Sequence, residues 1–93
     1  MAWKIYDQPV DVMEHRWRYF PAAFGWRGRR HQVEAVESSW LVPAHGWLRS
    51  RDRRFFRVRC AEGLFDLYQD LGAGTWHLRR ADMGGARARV WKK

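Results

Sequence analysis

The chain has 93 residues, 46% of them hydrophobic and 16% aromatic, with a formal net charge of +8 and a pI near 10.8. That is one domain's length, with apolar bulk for one core. A single cysteine, Cys60, excludes an intrachain disulfide, and no stretch approaches the roughly 20 apolar residues of a membrane helix. Residues 1–20 also lack the apolar run of a signal peptide, so the expectation is a soluble, cytoplasmic protein of bacterial type.

β-Branched and aromatic residues alternate with charge along the chain, which predicts six strands, near 9–17, 20–27, 30–41, 54–61, 64–71 and 74–81. Residues 10–20 could also be read as helix. A Gly28-Arg29 turn would pair Trp26 with His31 and Phe24 with Val33. Trp26, Trp40 and Trp76 are expected in packing, whereas His31 and His77 are expected on strand surfaces. Pro43–Arg53 is the least regular stretch, and a loop of that length in so small a domain is usually functional or disordered. In the next hairpin a Glu62-Gly63 turn would pair Cys60 with Phe65 and Val58 with Leu67. Phe56, Phe65 and Leu71 would then also face inward. A Gly72-Ala73 turn would pair Leu67 with Leu78 and Gln69 with Trp76. The outward rows would be Arg59–Asp66–Arg79, Arg57–Tyr68–His77 and Phe55–Asp70–Thr75. Residues 84–93, with four basic side chains, read as a flexible tail after a single domain at 1–83.

Fifteen of the 18 basic residues are arginine, whose planar fork grips phosphate and stacks on rings. From Arg49 to Arg59 there are six arginines and one acid, interleaved with Trp47, Phe55 and Phe56. Phe56 belongs to the core. That leaves Arg49, Arg51, Arg53, Arg54, Arg57, Arg59 and Arg79 for phosphates, and Trp47, Phe55 and Tyr68 for bases, a pattern suited to single-stranded nucleic acid. The same bias is what a GC-rich genome produces without any partner. No metal-ligand spacing joins His15, His31, His45, His77 and Cys60. No nucleophile elbow or P-loop is present, and Glu34/Glu37 and Asp66/Asp70 look like partners for arginine. The expectation is therefore no catalytic residues, no cofactor and no metal.

Phe24-Gly25-Trp26-Arg27-Gly28-Arg29-Arg30-His31-Gln32-Val33 resembles an F-x-W-x-G-R-x-Y/H-x-V pattern. With Trp40, Trp47, Phe55-Phe56-Arg57-Val58-Arg59, Leu64–Asp70 and Trp76-His77-Leu78, residues 9–82 resemble a small bacterial family of unknown function. Its members are similar to modules appended to, or encoded beside, Y-family translesion DNA polymerases. His31 stands where tyrosine is usual, and Gln69-Asp70 replaces an arginine-aspartate pair, which removes one positive charge. The resemblance implies a DNA-damage-tolerance setting and transfers no catalytic residues.

Together these readings give an all-β, six-stranded, twisted antiparallel meander, able to curl into a small SH3-like or partly open barrel. Its expected function is that of a non-catalytic accessory module on DNA, single strands favoured. The alternative is a protein-interaction module docking on a polymerase or related subunit, its charge merely compositional. A structural domain kept soluble by its charge is the third reading.

Overall fold

The computed structural model describes residues 2–43 and 52–83. Six strands run in chain order: β1 (Lys4–Arg16), β2 (Phe20–Trp26), β3 (Arg29–Val42), β4 (Arg53–Cys60), β5 (Gly63–Asp70) and β6 (Trp76–Asp82). Each pairs antiparallel with the next, and β1 pairs with β6, so the meander closes into a barrel. Closure joins the first and last strands, which would be the two edges of an open meander. No helix occurs among the described residues, and 10–20 is strand and turn.

β1 begins at Lys4 rather than residue 9. It turns Tyr6, Gln8, Val10 and Val12 toward the interior and Ile5, Asp7, Pro9 and Asp11 outward, the period-2 pattern of a half-buried strand. Gln8 is acceptable inside because its Oε1 accepts from the Trp26 indole N–H at 2.9 Å. The interior is filled by Phe24, Trp26, Val33, Phe56, Val58, Phe65, Leu67 and Leu78, with Cys60 among them. Burial pushes the Cys60 thiol up to about 12, helped by Glu62 and Glu34, so it carries almost no thiolate at neutral pH.

The hairpin turns lie one step from where the sequence puts them. The β4–β5 turn is Ala61-Glu62, and Val58 faces Phe65 while Phe56 faces Leu67. The β2–β3 turn is Arg27-Gly28, and Phe24 faces His31. Both registers shift by two residues, which changes every partner and no face. The interior set around Phe56, Val58 and Phe65 therefore stands.

Three placements differ from expectation. His31 is only 4% exposed, stacked on Phe24 at 5.1 Å with its Nδ1 3.1 Å from Glu62 Oε1. It shares the parity of Val33, so it points inward despite its polarity. Leu71 is exposed because β5 ends at Asp70. There the Asp70 carboxylate accepts from the N–H groups of Gly72 and Ala73, and the positive φ falls on Gly74, not Gly72. Trp40 lies on the outer face, half-buried against Phe55. By contrast, Leu67 does pair with Leu78 and Gln69 with Trp76.

Bulges bend the sheet shut. One makes Arg79 an extra residue of β6 between Leu78 and Arg80, and β1 carries its own irregularity between Ile5 and Gln8. The two extra segments meet: Arg79 Nη1 lies 3.1 Å from Asp7 Oδ2, and Asp7 has φ 55°.

Candidate nucleic-acid interface

The outer face of β3–β6 carries the side chains that the sequence singles out. The two-residue shift makes its first row Arg57–Asp66–Arg80, replacing Arg59–Asp66–Arg79. Arg57 grips Asp66 with two bonds, Nε to Oδ1 at 2.8 Å and Nη2 to Oδ2 at 3.0 Å. Arg80 Nε donates to the same Oδ2 at 2.9 Å. Asp66 is 1% exposed, and these guanidiniums supply it with three hydrogen bonds. The hydrogen bond to Asp66 raises the Arg57 pKa against the opposing effect of desolvation. Trp3 lies against both cations, 4.8 Å from Arg57 and 4.4 Å from Arg80. This is an N-terminal latch on the barrel wall.

Beside it runs a ladder of rings across four strands: Trp40, Phe55, Tyr68 and His77. Centroids are 5.3, 5.0 and 4.8 Å apart, with interplanar angles of 7°, 36° and 17°. Rings at that spacing cover one another's faces and turn their edges to solvent. Phe55 is 9% and Tyr68 6% exposed, and Arg53 lies 4.8 Å over Tyr68. The expected partner of Tyr68 was Arg57; the register gives it Arg53 instead. Burial raises the Tyr68 pKa and keeps its phenol protonated, although Arg53 and Arg79 act the other way. Phe55 and Tyr68 thus serve the sheet, and a base would have to displace a neighbour to stack on either.

The other named arginines have partners too. Arg59 pairs with Glu37 at 2.9 Å and Arg79 with Asp7 at 3.1 Å. Arg54 sits 5.6 Å over the Tyr19 ring. Arg49, Arg51 and Trp47 lie outside the described residues, as does the tail 84–93.

Charge is unevenly divided along the chain. All ten acidic residues lie in the described structure, which holds 12 of the 18 basic ones. The barrel therefore carries +2, and the remaining +6 belongs to 44–51 and 84–93, which contain no acid. In an up-and-down meander the connections alternate between two rims. Turn 17–19, the end of β3 at Val42, the start of β4 at Arg53 and turn 71–75 share one rim; turns 27–28 and 61–62 share the other, where β6 ends. Tyr19 confirms the first grouping, with its ring 5.4 Å from Phe56.

Sequence reasoning missed Trp3, Arg80 and the turn Arg16-Trp17-Arg18. Trp3 gave no local signal, because its partners are set by register. The Arg-Trp-Arg triplet was visible but carried no statement about exposure.

These features define a small closed β-barrel whose wall is held by arginine–carboxylate and ring contacts. The chain belongs to the DUF6504 family, a domain of unknown function, whose profile matches residues 1–83. No curated protein and no solved structure matches it.

Proposed function

We propose that this domain is a non-catalytic accessory module that binds DNA, single strands favoured, through its first rim. The observation that carries this reading is the division of charge: the barrel is nearly neutral, whereas +6 lies in acid-free segments. One of them, 44–51, joins the rim at Pro43 and Asp52, beside Arg53 and Arg54. Arg49, Arg51, Arg53 and Arg54 neutralise phosphates in this reading, and Trp47 contributes a ring. Arg57, Arg59 and Arg79 contribute less, because Asp66, Glu37 and Asp7 already hold them. The resemblance to polymerase-associated modules supports a setting in DNA-damage tolerance.

Four phosphate contacts on a single strand give a slope of log affinity on log salt of about −3. Fluorescence anisotropy with labelled single-stranded and duplex DNA over a salt series tests this. The expected result is single-strand preference, with loss of affinity in the R49A/R51A/R53A/R54A variant at unchanged fold. Absence of binding by the unaltered protein at low salt overturns the reading. A second reading, docking on a protein partner, is favoured by the exposed Leu41, Val42 and Leu71 on the same rim. It predicts a partner whose binding survives the four arginine substitutions.

A further inference from the structure

We infer that the β1–β2 turn, Arg16-Trp17-Arg18-Tyr19, is a base-stacking site for an unpaired nucleotide. The inference rests on the nucleic-acid reading above and places the contact on residues which that reading does not use.

The turn is closed by the Tyr19 N–H donating to the Arg16 carbonyl at 3.1 Å. Its two central residues have positive φ, 61° at Trp17 and 58° at Arg18. That pairing of angles is a type I′ turn, which normally takes Asn-Gly because a side chain in the left-handed region is strained. The other such turn here, Arg27-Gly28, has glycine at its second position, with φ 53° and 75°. At 17–18 the same pair of left-handed φ angles is built from two of the largest side chains, inside a three-residue connection between Arg16 and Phe20. Strain of this kind persists where the surroundings impose it, and it concentrates at functional sites.

The strained turn holds its indole in solvent. Trp17 is 83% exposed, and no ring or cation lies against it among the described residues. Other exposed large hydrophobics range from 37% to 63%. Arg16 and Arg18 flank it and are equally unengaged. Among the described residues they share with Arg29 alone the lack of any carboxylate or ring in contact, and Arg29 lies at the opposite rim. Lys4, Arg27, Arg53 and Arg54 lie over rings. Arg30, Arg57, Arg59, Arg79 and Arg80 hold carboxylates, and Arg29 acts on Glu62.

A free flat face between two free guanidiniums matches a ligand that is flat where it meets the indole and anionic on both sides. A nucleotide within a strand has that chemistry: a base with a phosphate before and after it. The ladder cannot offer the same contact, because Phe55 and Tyr68 are already covered by their neighbours. Duplex DNA fits poorly, since its bases are stacked on each other. The occupant is therefore single-stranded nucleic acid, held by one stacked base and two phosphates.

The test titrates a fluorescein-labelled oligothymidylate with the unaltered protein, W17A, W17F, R16A/R18A and W17N/R18G. Trp17 is 83% exposed with no ring or cation against it among the described residues, so W17A should keep its far-UV spectrum and thermal midpoint. Losing one stacked base predicts about a 10-fold weaker affinity for W17A, with W17F largely restored. R16A/R18A should make the salt slope shallower by about 1.4. W17N/R18G relieves the strained turn, so it should melt higher while binding more weakly than W17A, because Arg18 is lost with the ring. If the unaltered protein binds but W17A, R16A/R18A and W17N/R18G bind with unchanged affinity and slope, this site is wrong and the general reading stands. If the unaltered protein does not bind at low salt, both fall. If W17A loses affinity only for anionic lipid vesicles run in parallel, the occupant is a membrane surface and the nucleotide site is overturned.

Discussion

Asp66 shows what single side chains do in this barrel. A carboxylate at 1% exposure is costly unless every lone pair has a donor, and Arg57 and Arg80 supply three bonds. Asp66→Ala leaves two partly buried guanidiniums without a counter-charge. It should lower unfolding free energy by about 2–3 kcal/mol, read from the urea midpoint. Trp3→Ala removes only the ring over those cations and should cost about 1 kcal/mol. An equal cost for the two would show that the carboxylate is not the anchor. Glu62 gives the pH dependence. Burial works against its charge, but the bond to His31, its own backbone N–H and nearby Arg29 outweigh that and hold its pKa below the usual 4.5. A depressed folded-state carboxylate pKa contributes stability that is complete above the unfolded value and lost as pH falls through the folded one. Stability should thus decline from about pH 4.5 downward, and Glu62→Gln should flatten that decline. The carboxylate is partly solvated, so the difference at pH 7 should be at most about 1 kcal/mol. An acid limb unchanged in the variant would remove Glu62 as its source.

At the scale of the strand and turn, parity survived where register did not. Moving a hairpin register by two residues keeps Phe56, Val58, Phe65 and Leu67 inward, so burial patterning is blind to the difference. What fixes the register at β4–β5 is Gly63. Its φ of 145° and the Asp82 backbone carbonyl beside it leave no room for a Cβ. Gly63→Ala should therefore destabilise by about 2–4 kcal/mol, combining backbone strain with a displaced β6. Thermal melting checks this, and a loss under 1 kcal/mol would mean that the turn can relax. Bulges were equally hidden. Arg79 and Arg80 are neighbours in sequence with the same chemistry, yet the bulge sends one to Asp7 and the other to Asp66. Nothing local to the sequence distinguishes them.

For the whole molecule, the net charge is a property of segments and not of the barrel. Removing 84–93 takes away four of the eight net charges while sparing every described contact. If those residues reach the same strand, the truncated protein should bind single-stranded DNA with a salt slope shallower by up to about 3, its melting temperature unchanged. An unchanged slope would confine binding to the first rim. The sequence by itself determined the six strands, the interior face of most of them and the density of arginine. Each is written locally, in period-2 alternation and in composition. Tertiary structure decided closure, register and which charges are free, because these depend on pairing between residues far apart in the chain. Lys4 meeting Ala81 shuts the barrel, and Trp3 finds Arg57 and Arg80 only once it is shut. The same pairing neutralises Arg57, Arg59 and Arg79 and leaves Arg16 and Arg18 unopposed, an outcome that no count of arginines contains.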